Sequence, residues 1–199
     1  DKLSVERISL NPSCLVDGEK FGDVQWDKKS NQIVWLSKTG KSAKFIVSKP
    51  NFHDYSFVDI DDIGGGVNYG GGDFSVSHEQ IAYVSGKQLK CFHLNERIDR
   101  VVSEFDRPIC SPVFSGDGNS IIAIIGGSDS ISDQVIVCDV NRILEPMIIT
   151  SDYDFYMQPA MHKSGNLMAC VGWNYPDMAW DSSDLQLIWF CVHNNSIKI

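Results

Sequence analysis

The sequence predicts an all-β protein built as a β-propeller, with about four blades in a partial or open ring. Three observations support this prediction: one pattern repeats four times, turn residues recur within the repeats, and helical periodicity is nearly absent. Each repeat places a large apolar residue before a polar turn, and a β-rich apolar run begins seven positions later. The four large residues, spaced 48, 40 and 47 positions apart, are Trp26, Phe74, Phe114 and Met161.

Each repeat is expected to form a small antiparallel sheet. The apolar run supplies one strand, and a second run of β-branched and aromatic residues follows it, alternating with a period of about two. The repeats cover approximately 20–60, 66–100, 108–145 and 153–193, and the second runs lie at 43–47, 88–93, 134–139 and 184–192. An irregular β-sandwich is the alternative architecture, and the four aligned repeats favour the propeller over it.

The turns inside the repeats are typical of β-hairpins. Asp117-Gly118 and Ser164-Gly165 supply residues that tolerate a positive φ, which tight hairpin turns require. Lys29-Ser30-Asn31 and Ser77-His78-Glu79 are weaker versions of the same signal. The single short stretch with helical spacing, residues 141–144, is too short to hold a helix alone.

Composition narrows the class of partner. The 199 residues include 17 Lys and Arg against 26 Asp and Glu, which gives a net charge of −9. Nucleic acids and anionic membrane surfaces both attract clustered basic residues, so neither is an expected partner. The sequence also contains no apolar run of the roughly 18 residues that a spanning helix needs, and no signal peptide is expected.

Six cysteines lie far apart in the sequence, and no two of them form a C-x-x-C pair. With 43% hydrophobic residues, the chain has enough apolar content for a core that does not depend on disulfides. We therefore expect reduced, mostly buried thiols and a cytoplasmic location. No pattern calls for a cofactor.

Two segments carry a more specific signal than the repeats do. One is Asn68-Tyr69-Gly70-Gly71-Gly72-Asp73-Phe74, and the other runs from Asp154-Phe155-Tyr156 through Trp173-Asn174-Tyr175-Pro176-Asp177-Met178-Ala179-Trp180-Asp181 to Leu185. Together they resemble the N-terminal propeller of prolyl oligopeptidase-family serine peptidases, in the branch with acylaminoacyl and dipeptidyl peptidases. The resemblance extends from about residue 22 to 192, and the tryptophan-containing loop matches best in its spacing. Val67 and Asn68 depart from it, because relatives carry a His-Glu pair at these two positions.

The resemblance implies a substrate-gating role. In such peptidases the propeller lies over a C-terminal α/β-hydrolase domain of the same protein, and it admits short peptides to the catalytic serine. The present sequence contains no G-x-S-x-G motif, so the resemblance implies a part that is not catalytic by itself. An open arc of four blades also leaves unpaired edges, which are candidate surfaces for self-association.

The predicted site residues come from these two segments. They are Trp173, Asn174, Asp177, Trp180, Asp181, Asn68 and Tyr69, as candidate contacts to substrate or to the hydrolase domain. A packing role for the tryptophan loop is the alternative, in which Asp181 accepts hydrogen bonds from loop amides. The glycine runs at 64–66 and 70–72 do not fit a phosphate-binding motif and are expected to permit close packing.

Other chemistries receive less support. The acidic groups at 59–62 and 177–184 lack the frame of a calcium loop, and the five histidines lack zinc-ligand spacing, so no metal site is predicted. Cys91 and His93 share one face of a strand, but no residue nearby would orient the imidazole for catalysis. A TolB-like propeller that binds other proteins is the main alternative function. A propeller glycosidase or lactonase would need converging carboxylates or a metal.

Overall fold

A computed structural model describes residues 18, 20–39, 42–50, 54–65, 67, 72–128, 130–141, 145–189, 191–193 and 196–198. Every regular element in these residues is a β-strand. The strands are β1 (Lys20–Asp27), β2 (Gln32–Thr39), β3 (Ser42–Ser48), β4 (Tyr55–Ile60), β5 (Phe74–Ser77), β6 (Gln80–Ser85), β7 (Gln88–His93), β8 (Ile98–Glu104), β9 (Ile109–Phe114), β10 (Ser120–Ile125), β11 (Gln134–Asp139), β12 (Met147–Thr150), β13 (Phe155–Met161), β14 (Leu167–Trp173), β15 (Asp184–Trp189), β16 (Cys191–His193) and β17 (Ser196–Lys198).

The strands form consecutive antiparallel meanders. We name them sheet 1 (β1–β4), sheet 2 (β5–β8), sheet 3 (β9–β12) and sheet 4 (β13–β15), and β16 pairs with β17 as a separate hairpin. Neighbouring strands in each sheet are also neighbours in sequence, as hairpin connections require. The predicted all-β arrangement of about four blade-like units is confirmed. The expected strand at 184–192 is divided between β15 and β16.

Sheet 2 differs from the others in its first hairpin. His78 and Glu79 both have positive φ, at 52° and 61°, and form a two-residue turn between Ser77 and Gln80. The equivalent turns of sheets 1 and 3 contain four residues, between Asp27 and Gln32 and between Ser115 and Ser120. Consequently Phe74 pairs with Tyr83 and not with Ile81, so its place in the sheet is two residues away from the one that the repeat alignment implies.

The first strands of consecutive sheets contact one another, which arranges the sheets in series around a common side. The Ser111 amide donates to the Gly72 carbonyl at 3.0 Å, and the Gln25 side chain donates to the Phe74 carbonyl at 2.8 Å. Strands β9 and β13 each contain a bulge, where Ser111 and Gln158 have φ of 52° and 54°. Such bulges bend the strand and change its register along the inner side of the arc.

Asp27 links sheet 1 to sheet 2 at the hairpin end. Its buried carboxylate accepts hydrogen bonds from the amides of Lys29 and Glu79, at 2.9 and 2.8 Å, and from the Ser30 hydroxyl at 2.6 Å. Burial raises the pKa of this carboxyl, but the three donors together outweigh burial and hold the pKa below its usual 3.8. The ionised form of Asp27 therefore stabilises the junction of the two sheets.

Three apolar clusters fill the spaces between consecutive sheets. Sheets 1 and 2 share one that includes Leu36, Phe45 and Tyr83, and sheets 2 and 3 share one around Leu89 and Ile121. The third lies between sheets 3 and 4 and comprises Cys110, Ile122, Ile124, Val135, Val137, Ile149, Tyr156, Met168, Cys170 and Ile188. Sheets 2 and 3 are thus buried on both faces, whereas sheets 1 and 4 each bury one face against the arc.

Gly65 shows why the glycine run at this position is needed. A Cβ atom built on Gly65 would lie 1.5 Å from the carbonyl oxygen of Ile109. The backbones of these two segments approach too closely for any side chain, which agrees with the close-packing interpretation. Gly66, Gly70 and Gly71 lie outside the described residues.

Candidate functional site

The loop between β14 and β15 starts from a buried anchor. Trp173, the last residue of β14, is buried, and its ring stacks on Phe155 with centroids 5.4 Å apart and planes inclined by 24°. Strand pairing causes this contact, because Phe155 lies directly opposite Trp173 in sheet 4. The structure therefore places Trp173 beneath the loop, where it fixes the loop and offers no exposed ring.

Two hydrogen bonds join Asp154 to the start of the loop, at Asn174 and Tyr175. The Asp154 amide donates to the Asn174 side-chain oxygen at 2.9 Å, and the Tyr175 amide donates to the Asp154 carboxylate at 3.0 Å. Asp154 also accepts a hydrogen bond from the Ser132 hydroxyl of sheet 3, at 3.0 Å. Asn174 is thus used for loop geometry, and the loop is tied to two sheets.

Two backbone turns complete the loop. The Asp177 amide donates to the Asn174 carbonyl at 3.0 Å, and the Asp181 amide donates to the Met178 carbonyl at 2.9 Å. The Asp181 carboxylate accepts from the Met178 amide at 3.3 Å, which is the amide-bonding role that the sequence predicted for Asp181. The Tyr175–Pro176 peptide bond is cis.

The side chains that the loop leaves exposed are aromatic and acidic. Tyr175 is 79% exposed and Trp180 is 77% exposed, with Asp177 and Asp181 exposed beside them. Large aromatic side chains on a fixed loop provide contact area at a low cost in conformational entropy. The loop is therefore suited to bind an apolar or mixed surface, and we name these four residues the aromatic loop surface.

Asp133 supports the site from sheet 3. Its buried carboxylate accepts hydrogen bonds from the Gly127 amide at 2.6 Å and the Tyr156 amide at 3.1 Å, so it connects sheet 3 with β13. Burial raises the pKa of Asp133, while these two amides and the nearby Arg107 act in the opposite direction. At the other end of the loop, a hydrogen bond to Asp184 at 3.0 Å raises the pKa of Tyr153.

The described cysteines are unsuited to nucleophilic chemistry. Cys91, Cys110, Cys138 and Cys170 are buried free thiols. Burial raises the pKa of Cys91, Cys110 and Cys170 to about 11 and that of Cys138 to about 12. These groups stay protonated near neutral pH, and a thiol attacks only as its thiolate. The buried Cys91 donates to the Gln80 side chain at 3.3 Å, so it does not form a nucleophile pair with His93.

Within the described part of the chain, no three His, Cys, Asp or Glu side chains come close enough together to hold a metal ion. The same residues contain no helix long and apolar enough to cross a membrane. Asn68 and Tyr69, two of the predicted site residues, lie outside the described residues.

The structure brings most of the remaining predicted site residues together on one loop. Sequence reasoning missed the supporting pair, Asp133 and Asp154, and it did not select Tyr175 as a contact. Asp154 begins the Asp154-Phe155-Tyr156 segment that carries the resemblance, and this position was an available signal for it. Asp133 gave no such signal, because its partners Gly127 and Tyr156 are far apart from each other in sequence.

No family model matches this sequence, and no curated protein matches it. Solved structures do match in fold. A puromycin-hydrolyzing peptidase from Mycobacterium tuberculosis aligns with a TM-score of 0.70 and 14% identity, over 91% of this chain and 30% of that one. TolB from Acinetobacter baumannii aligns with a TM-score of 0.66 and 11% identity, over 90% of this chain and 43% of that one.

The β-propeller domain of the Trilobed protease from Pyrococcus furiosus also aligns, with a TM-score of 0.56 and 7% identity, over 90% of this chain and 56% of that one. The chain therefore spans less than half the length of the peptidase and of TolB. These comparisons confirm the predicted β-propeller fold, which this chain shares with parts of two peptidases and of TolB. The chain has the fold of a partial β-propeller.

Proposed function

We propose that this chain is the propeller part of a prolyl oligopeptidase-like serine peptidase, in the acylaminoacyl and dipeptidyl peptidase-like branch. In this proposal the catalytic serine, its histidine base and the oxyanion hole belong to a C-terminal α/β-hydrolase domain of the same protein. The substrates are short peptides, and the propeller restricts which of them reach the serine. The observation that carries the proposal is the fold likeness to the puromycin-hydrolyzing peptidase over 91% of the chain.

The aromatic loop surface supplies the contact that such a role needs. Tyr175 and Trp180 are exposed on a loop that hydrogen bonds of Asn174 and Asp181 hold in place. Exposed aromatic side chains on a preorganised loop favour binding, because little entropy is lost when the partner arrives. Its partner is either the incoming peptide or the surface of the hydrolase domain.

A TolB-like propeller that binds other proteins is the second candidate. The likeness to TolB, with a TM-score of 0.66, favours it as a fold comparison. The two candidates differ in what the gene encodes after residue 199. A reading frame that continues into a domain with G-x-S-x-G supports the peptidase, and one without such a domain contradicts it.

Substitution of Trp180 by Ala in the full-length protein tests the loop. If the loop contacts substrate, we expect KM for a short peptide to rise several-fold while Tm is unchanged, because the side chain is exposed. If it docks on the hydrolase domain, Tm falls and kcat/KM is unchanged. Ile98→Ala, which removes an exposed apolar side chain from β8 of sheet 2, is the control. Equal behaviour of the two variants would contradict a role for the loop.

We further propose that the protein works in a reducing, cytoplasmic compartment. The support is that Cys91, Cys110, Cys138 and Cys170 are free and buried. Mass spectrometry of thiols alkylated under denaturing conditions in freshly lysed cells tests this. Disulfides among these four residues would contradict it.

A further inference from the structure

The β10–β11 and β14–β15 connections are longer than their counterparts in sheets 1 and 2. The β2–β3 and β6–β7 connections each have two residues, whereas the other two cover 126–133 and 174–183. Both long connections join the second strand of a sheet to the third, and their sheets are consecutive. Loops on a rigid scaffold often carry binding residues, and we name residues 126–133 the β10–β11 loop.

The β10–β11 loop is narrow at its base. The Ser128 amide donates to the Ile131 carbonyl at 2.8 Å, and the Ile131 amide donates to the Ser128 carbonyl at 3.0 Å. A Cβ atom built on Gly127 would lie 2.3 Å from the Ile131 carbonyl oxygen. The two sides of the loop therefore approach each other too closely for a side chain at Gly127.

Arg107 holds both sides of this base. Its guanidinium donates to the Gly126 carbonyl at 3.1 Å on one side, and to the Ser132 carbonyl at 3.3 Å on the other. It also donates to the side-chain oxygen of Gln134, the first residue of β11. A planar guanidinium offers five N–H donors in a fixed fork, so one side chain can hold all three acceptors in place.

The burial of Arg107 indicates that these hydrogen bonds matter. The Arg107 side chain is 15% exposed, and its ion-pair partner Asp106, at 3.8 Å, is 91% exposed. An ion pair with so exposed a carboxylate contributes little to stability. The three bonded acceptors are uncharged, so the guanidinium is desolvated mainly in exchange for bonds that shape the loop. An apolar side chain would avoid this desolvation but would leave the acceptors without a donor.

The β10–β11 loop is joined to the aromatic loop surface through Asp154. The Ser132 hydroxyl donates to one carboxylate oxygen of Asp154, and the Tyr175 amide donates to the other. Beside them, the Asp133 amide donates to the Asp154 carbonyl at 2.9 Å. One carboxylate thus connects a residue that Arg107 holds with the first residue of the aromatic loop surface, and all these contacts lie within sheets 3 and 4.

We propose that Arg107 is a positioning residue for the aromatic loop surface and that it acts on Tyr175 through Ser132 and Asp154. Without the guanidinium, the two sides of the β10–β11 loop separate and the Asp154 carboxylate loses the Ser132 donor that orients it. Tyr175 is then held less firmly, so more entropy is lost when a partner binds. The effect on binding rests on the proposed peptidase function, whereas the effect on loop order does not.

Hydrogen exchange of the full-length protein, followed by mass spectrometry, is the first test. In Arg107→Met, peptides covering residues 174–183 should exchange about tenfold faster than in the wild type, because a hydrogen bond to a carboxylate is weakened. Ser132→Ala should have the same effect and is the milder change, so it tests the route even where Arg107→Met does not fold.

Arg97→Met is the matched control for the hydrogen-exchange measurement. The Arg97 guanidinium also donates to a backbone carbonyl, that of Phe57 at 3.2 Å, but it joins sheet 2 to sheet 1. Exchange in residues 174–183 should therefore stay at the wild-type rate in this variant. Circular dichroism of each variant establishes that it is folded.

The double variant tests whether the effect of Arg107 passes through Ser132. In a chain that already carries Ser132→Ala, Arg107→Met should add little to the rate of exchange in residues 174–183. Two independent effects would instead multiply to about 100-fold. Ser132→Thr retains the hydroxyl and should exchange at the wild-type rate, which distinguishes the hydrogen bond from packing at this position.

Peptide hydrolysis tests whether loop order affects binding. Arg107→Met and Ser132→Ala should each raise KM for a short peptide several-fold while kcat is unchanged, because they act on binding and not on the catalytic serine. Faster exchange in a protein without peptidase activity would contradict the proposed function and leave the positioning role supported. Faster exchange with an unchanged KM in an active peptidase would overturn the role in binding.

The positioning role itself has three contrary outcomes in the exchange data. Unchanged exchange in residues 174–183, with Arg107→Met or Ser132→Ala folded, would show that the contacts do not hold the loop. Multiplying effects in the double variant would show that Arg107 does not act through Ser132. Equal acceleration by Arg97→Met would mean that the loop reports a general loss of stability.

Discussion

Sheets 3 and 4 present similar apolar faces to different surroundings. Ile122 and Ile124 of sheet 3 are at most 1% exposed, because sheet 4 covers them. Leu185 and Leu187 of sheet 4 alternate in the same way, yet they are 69% and 62% exposed. The strand pattern is the same in the two sheets, so burial depends on whether another sheet follows. A repeat of this kind is stabilised by its neighbours as much as by its own residues.

The largest expected loss of stability comes from truncating a side chain on the face of sheet 3 that sheet 4 covers. Ile124→Ala should lower the free energy of unfolding by about 3 kcal/mol, because it leaves a cavity between sheets 3 and 4. Urea unfolding followed by tryptophan fluorescence measures the change. Cys138→Ala, in the neighbouring cluster between sheets 2 and 3, is a smaller truncation for comparison. A loss below about 1 kcal/mol for Ile124→Ala would mean that sheets 3 and 4 are not packed together in solution.

A smaller loss of stability is expected when Asp27, at the junction of sheets 1 and 2, is changed. Asp27→Asn should cost about 2 kcal/mol at neutral pH, because a charged acceptor of three hydrogen bonds becomes a neutral amide. The pKa of Asp27 is lowered in the folded state, so the unfolded chain binds the proton more tightly. The stability from this carboxylate is therefore present above its usual pKa of 3.8 and is lost as the pH falls below that value.

Unfolding measured between pH 3 and pH 7 tests that sign. The wild-type chain should lose stability toward the acid end more steeply than Asp27→Asn does, so the difference between them narrows as pH falls. Asp59→Asn is the control, because Asp59 lies on β4, at the opposite edge of sheet 1 from the strand that carries Asp27. A constant difference across this range would contradict the assignment of Asp27.

The smallest change in stability is expected for a side chain on the uncovered face of sheet 4. Leu187→Ala should change the free energy of unfolding by less than about 0.5 kcal/mol when the chain is dilute, because the side chain is already exposed. The difference between this variant and Ile124→Ala in the free energy of unfolding measures how much a covering sheet stabilises an apolar side chain. If Leu187→Ala cost as much as Ile124→Ala in the dilute chain, the outward side of β15 would be covered by residues of the same chain.

The sequence predicted the strands, and their registers are set by turns and bulges that the structure reveals. The hairpin turns at Gly118 and Gly165 have the positive φ that their residues suggested, at 76° and 78°. The two-residue turn at His78 and Glu79 was harder to anticipate, since neither residue is glycine. Because of that turn Phe74 lies opposite Tyr83, whereas Trp26 and Phe114 of the other repeats lie opposite the residue seven positions later.

The candidate site was predicted only in part, for a similar reason. The spacing of Trp173, Trp180 and Asp181 identified the loop, and Asp181 bonds a loop amide as expected. Nothing in the spacing distinguished the buried Trp173 from the exposed Trp180, because their burial is set by strand pairing with Phe155. The bonds of Asp133 and Asp154 join segments from different sheets, and such contacts exist only after the sheets pack.

The sequence by itself determined that the chain is all-β, that it repeats four times and that its thiols are suited to burial. Those properties follow from local alternation, turn residues and composition, which act over a few residues. Tertiary structure alone decided which apolar faces are covered, which tryptophan of the loop is exposed and which carboxylates join the sheets. Each of these depends on the relative placement of sheets that lie dozens of residues apart, and the strand pattern is the same whether or not a neighbour is present.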